Sequence, residues 1–99
     1  MQYYELINGL RVLEISRYSS CSYAGRLLSL SGAHVTKILP DSLSFCSFYD
    51  ELKTMISLKA FKKEINKYVS KSDIVIADCY FAHYVSDLYT GVGVFIEYP

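Results

Sequence analysis

The stretch Gly9 to Leu39 reads GLRVLEISRYSSCSYAGRLLSLSGAHVTKIL, and the order of residue types within it sets the fold. Arg11 to Ile15 is rich in leucine and β-branched residues and alternates poorly, as a central strand covered on both faces does. The polar turn Ser16 to Ser20 follows, with hydroxyls at Ser20 and Ser22 able to cap a helix from about Ser22 to Leu30. Within that helix Tyr23, Leu27, Leu28 and Leu30 are expected largely on one side, and Gly25 permits close approach of backbone or ligand. Gly32 ends the helix, and His34 to Leu39 forms a second strand broken by Pro40-Asp41. This is one complete βαβ unit.

Working outward, Met1 to Asn8 carries Tyr3, Tyr4, Leu6 and Ile7 and reads as a packed lead-in before the Asn8-Gly9 turn. Ser42 to Glu51 reads as a loop or short helix, and Met55 to Leu58 as a short strand. Ala60 to Ser70 is amphipathic, with Phe61, Ile65, Tyr68 and Val69 inward and Lys62, Lys63, Glu64 and Lys67 outward. Asp73 to Ala77 is another apolar strand, with Asp78 at the carboxyl end, where open α/β sheets bind ligands. Tyr80 to Tyr89 is compatible with a helix, and Gly91 to Tyr98 is strand-like, an edge strand or the start of a larger protein. The alternation predicts an α/β fold, a small doubly wound, mostly parallel Rossmann-like sheet with flanking helices, in a single domain spanning residues 1–99.

Composition narrows the function classes. The chain has 99 residues, 52% of them hydrophobic, with ten basic side chains balancing ten acidic ones. A domain of this size buries roughly two thirds of its unfolded surface. Zero net charge gives no footprint for a nucleic-acid backbone. No run reaches the ~20 apolar residues of a membrane span, and the amino terminus lacks a signal-peptide pattern, so a cytoplasmic protein is expected. Cys21, Cys46 and Cys79 lack metal-ligand or CxxC spacing and read as reduced, structural thiols; no metal is expected. Ser19, Ser20 or Cys21 with His34 or His83 as nucleophile and base is disfavoured, because no G-x-S-x-G elbow frames the serine. Gly91-x-Gly93 lacks the third glycine and following helix of a dinucleotide fingerprint. The remaining carboxylates have plain readings: Glu14 as a strand residue, Asp50 and Glu51 as loop residues, Asp73 as a strand start. The ten tyrosines suit a protein interface.

Three blocks carry a family resemblance: Gly9 to Ile15, Tyr23 to Leu28, and Gly32 to Ile38. With Lys53 to Leu58 and Ser72 to Ile76 following in order, residues 9 to 80 resemble the amino-terminal domain of class III CoA-transferases (the CaiB/BaiF family). The resemblance implies coenzyme A as the cofactor, held near Ser19, Ser20, Lys37, Lys53 and Asp78. It also implies a catalytic aspartate that lies beyond the matched portion. The departures fall at the ligand positions. Ser20-Cys21-Ser22 replaces an AGP-like turn, Leu39 replaces an acidic residue, and Asp78-Cys79 replaces Asn-Phe, bringing a carboxylate that would repel phosphates. The expectation is a CoA-transferase-like domain, non-catalytic alone, acting as an interaction or dimerisation module in a biosynthetic assembly. Two alternatives stay open: the first segment of an active acyl-CoA transferase whose aspartate is supplied elsewhere, and a CoA or acyl-CoA binder without turnover.

Overall fold

A computed structural model describes residues 7–15, 19–39, 47–78 and 92–96. In chain order these form β1 (Arg11–Ile15), α1 (Ser19–Leu30), β2 (His34–Leu39), α2 (Ser47–Asp50), β3 (Thr54–Ser57), α3 (Leu58–Lys63), α4 (Ile65–Ser70), β4 (Ile74–Asp78) and β5 (Val92–Ile96). The strands make one sheet in the order β3-β2-β1-β4-β5. Every pairing is parallel. β1 lies at the centre, and the order reverses beside it, between β1 and β4. The small α/β, Rossmann-like frame expected from the sequence is therefore the fold. The segments expected at Met1 to Leu6 and Tyr80 to Tyr89 lie outside the described residues, as do Cys46, Cys79 and His83.

Alternation along β1 divides the core into two layers. Leu13 and Ile15 join Ile38, Val75 and Ala77 under Phe61 and Val69, with Ile65 and Tyr68 packed against them. On the opposite face Val12, Val35 and Ile76 pack with Cys21 and Ala33, and with the half-buried Ile7, Ala24 and Leu28. The first layer is covered by α3 and α4, the second by α1. Helices thus lie on both faces, so β1 is enclosed as its poor alternation required.

Local chemistry fixes the element ends. Gly32 adopts φ +105° after α1; its amide bonds the Ser29 carbonyl at 3.1 Å, and the Ala33 amide bonds the Leu28 carbonyl at 3.0 Å. This is the paired closure that favours glycine at a helix end. Gly9, at φ +87°, lets the chain turn so that the Leu10 amide reaches the Ile7 carbonyl at 3.0 Å. At the start of α3, the Ala60 amide donates to the Ser57 hydroxyl at 3.1 Å, which satisfies one otherwise orphaned N–H. At the start of β4, the Asp73 amide donates to the Arg11 carbonyl and the Arg11 amide to Asp73 Oδ2, each at 2.8 Å.

Three expectations need correction. The amphipathic run Ala60 to Ser70 is two short helices, interrupted at Glu64, whose φ of −138° and ψ of 43° leave the helical region. Its amide closes back onto Phe61 at 3.1 Å. The inward set survives the interruption, because burial of Phe61 and Val69 belongs to two separate turns. Second, α1 starts at Ser19 rather than Ser22. Third, α1's sheet-facing side consists of Cys21, Ala24 and Leu28, whereas Tyr23, Leu27 and Leu30 are 50, 47 and 46% exposed. Small residues on the inner side let α1 approach the strands closely, and the large ones are left outside.

Candidate functional site

Glu14 points to the α1 face, in register with Lys37 on β2. A carboxylate in a strand covered on both faces must find cations in the interior. Lys37 and Lys53 supply them, and Asp50, the last residue of α2, supplies a second anion. Lys53 Nζ lies 2.7 Å from Glu14 Oε1 and 2.8 Å from Asp50 Oδ1. Lys37 Nζ lies 2.8 Å from Asp50 Oδ2 and 3.7 Å from Glu14 Oε2. The side chains of all four residues are at most 1% exposed. Ser22 of α1 completes the ring: its hydroxyl accepts from Lys37 Nζ and its carbonyl from Lys53 Nζ, each at 2.9 Å.

Two ammonium groups and two carboxylates make the quartet neutral, so the buried charges compensate one another. Lys53 is close enough to Glu14 for a hydrogen bond, but neither Glu14 oxygen receives a well-aligned donor. The contact is ionic in character. Burial raises the Glu14 pKa above the ordinary 4.5; the nearby Lys53 and Lys37 oppose that rise and Asp50 adds to it. Gly25 of α1 lies over Glu14, where a Cβ would run into Oε1 and come within 3.0 Å of Lys53 Nζ. The glycine noted for close approach thus accommodates this side chain of the same domain.

The residues implied as nucleotide contacts are distributed unevenly. Lys37 and Lys53 do come together, but as partners of Asp50 and Glu14, enclosed behind α1 rather than facing an open crevice. Ser19 and Ser20 open α1, and Asp78 closes β4; their side chains lie outside the described residues. Cys21 is a buried thiol in the α1 layer, and His34 is exposed at the start of β2. Among the described residues, no group of three or more His, Cys, Asp or Glu side chains is arranged to hold a metal. No described helix is long and apolar enough to cross a membrane.

Glu14 and Asp50 are the residues that sequence reading passed over. The signal for Glu14 was present: a charged residue between Leu13 and Ile15, in a strand read as covered on both sides, must be paired internally. For Asp50 the cue was weaker, a carboxylate three residues before Lys53 beside an apolar loop.

The outer side of α1 has a different character. Tyr23, Leu27 and Leu30 recur at helical spacing on it, and α2 continues the surface with Phe48 at 61% exposure and Leu52, just beyond it, at 55%. Tyr23 meets Tyr49 edge-on, with ring centres 6.3 Å apart, and Phe48 meets Tyr49 likewise at 5.1 Å. The Arg26 guanidinium lies 4.7 Å from the centre of the Phe48 ring, donates to the Phe48 carbonyl and reaches Glu51 at 3.8 Å. Among the described residues, every large hydrophobic side chain that is exposed belongs to this α1/α2 surface. In comparisons with models of protein families and with curated proteins, the chain has no match.

Proposed function

We propose that the chain is a protein-docking module on a small α/β frame, descended from a class III CoA-transferase amino-terminal domain and non-catalytic alone. The observation that supports docking is the gathering of Tyr23, Leu27, Leu30, Phe48 and Leu52 on the α1/α2 surface. Exposed apolar side chains scattered singly are ordinary, but a set concentrated on α1 and α2, with Arg26 and Glu51 beside Phe48, fits a protein interface. Aromatic groups and arginine are among the residue types that anchor such interfaces. Lys37 and Lys53 weigh against the CoA-binding alternatives, since each ammonium is already engaged by carboxylates in the interior.

Sedimentation velocity over a range of concentrations, with pull-down of binding proteins, tests the reading. The wild-type chain is expected to associate, with itself or with a partner, and Leu27→Glu to abolish that association while keeping the native circular dichroism. A strict monomer that captures no protein would end the proposal.

A further inference from the structure

On the α3/α4 side of the sheet, away from the ionic quartet, a cleft of about 220 Å³ opens at the amino ends of β1 and β2. Its walls come from β1 and β2 on one side and the carboxyl end of α4 on the other. Leu13 and Tyr68 provide apolar lining, with the Tyr68 ring held by Phe61 at a centroid distance of 5.9 Å. Arg11, His34 and Lys71 line the same cleft, and all three are exposed. The nearby acid, Asp73, is already occupied: its Oδ2 accepts from the Arg11 amide at 2.8 Å and from Arg11 Nε at 3.5 Å. That contact orients the guanidinium through Nε and leaves the two terminal nitrogens for another partner. The cleft borders the carboxyl end of α4, and along residues 58–71 Lys59, Lys62, Lys63, Lys67 and Lys71 are exposed, with Glu64 the one acid of that stretch.

We propose that this cleft binds a small organic anion with an apolar body, of the aryl carboxylate class. The planar fork of Arg11 matches a carboxylate, and Lys71 adds a second positive charge at the mouth. The half-buried Tyr68 receives the apolar body over the floor formed by β1, and the lysine face raises the local concentration of anions. The volume is below the ~300–1,000 Å³ of pockets for drug-sized ligands, which restricts the class to about one ring.

The test is a titration of the full chain with benzoate, followed by amide chemical shifts, with acetate and benzyl alcohol as comparators. Saturable shifts are expected at Arg11, Thr36 and Ser72, with a Kd on the order of 1 mM. Acetate, which lacks the ring, and benzyl alcohol, which lacks the charge, should each bind at least tenfold more weakly. Lys71→Glu should weaken benzoate at least tenfold and Lys71→Ala less. Lys59→Glu, on the same lysine face outside the cleft, should change binding less than twofold. The absence of saturable shifts up to about 10 mM benzoate, equal binding of benzyl alcohol, or equal effects of Lys71→Glu and Lys59→Glu would each overturn the assignment.

Discussion

Replacing Lys53 by Met tests whether the buried quartet is held together by charge. Met keeps an unbranched apolar stem of similar length, so the packing change is small. What disappears is the ammonium 2.7 Å from Glu14 and 2.8 Å from Asp50, leaving Lys37 to face two buried carboxylates. An uncompensated buried charge costs roughly 3–5 kcal/mol, and the interior avoids it by taking up a proton instead. Glu14 is the group that accepts it, because burial already raises its pKa above 4.5. Holding a proton at pH 7 on a carboxyl with an ordinary value near 4.5 costs about 3 kcal/mol at 1.36 kcal/mol per pH unit, and less than about 1 kcal/mol at pH 5. In the variant the native state binds a proton that the unfolded chain has released above pH 4.5. Stability therefore falls as pH rises through that region and returns as pH is lowered. Urea unfolding followed by far-ultraviolet circular dichroism is expected to show a loss of about 3 kcal/mol at pH 7, moving the midpoint by more than about 1 M. That loss should shrink several-fold at pH 5. The double variant Glu14→Gln/Lys53→Met removes one charge of each sign and leaves the Lys37–Asp50 pair, so it should be more stable at pH 7 than Lys53→Met alone. A loss that does not change between pH 7 and pH 5, or a double variant no more stable than the single one, would refute the electrostatic account.

Other perturbations probe the same frame. Gly25→Ala places a methyl group against Glu14 Oε1 and 3.1 Å from Lys53 Cε; with both side chains pinned by ion pairs, it should cost about 1–3 kcal/mol in urea unfolding. Ser57→Ala removes the acceptor for the Ala60 amide and should lower stability by about 1 kcal/mol, while Ser57→Thr should restore most of it. The Asp73 pKa is lowered from 3.8, chiefly by the hydrogen bond from the Arg11 backbone amide. Its contribution is therefore present above pH 3.8 and lost as pH falls through the lower folded value. Asp73→Asn should flatten that acid limb in a series of unfolding curves between about pH 5 and pH 2.

The fold was legible because it depends on patterns that do not need partners to be known. The apolar run Arg11 to Ile15, the glycine stop at Gly32 and the apolar run after Asp73 each report a local requirement that the structure meets. The orientation of α1 was not legible, because leucine spacing alone grouped Tyr23, Leu27, Leu28 and Leu30 without showing which side of the helix meets the sheet. The opposite side wins because Ser22 and Gly25 must lie over Glu14, Lys37 and Lys53, and a tyrosine or leucine there would displace the charges. Long-range pairing determined the rotation of the helix, and nothing within the helix itself announced it. The same reason hid Asp50, whose burial depends in part on Lys37 of β2, distant in sequence.

The quartet also connects the interior to the docking surface. A helix of four residues such as α2 has no stability of its own, since forming the first turn is unfavourable in water. Asp50 fastens its last residue to Lys37 and Lys53 at 2.8 Å each, and Arg26 binds its Phe48 from α1. With both ends of Phe48-Tyr49-Asp50 fixed, the Phe48 and Tyr49 rings are held beside Tyr23. An apolar residue in place of Asp50 would pack α2 without selecting one position along the sheet, whereas a carboxylate shared by two buried ammonium groups admits only one. The charges that resemblance would give to a nucleotide are used here to hold a four-residue helix in register, and with it the aromatic part of the surface through which the chain is proposed to bind a partner.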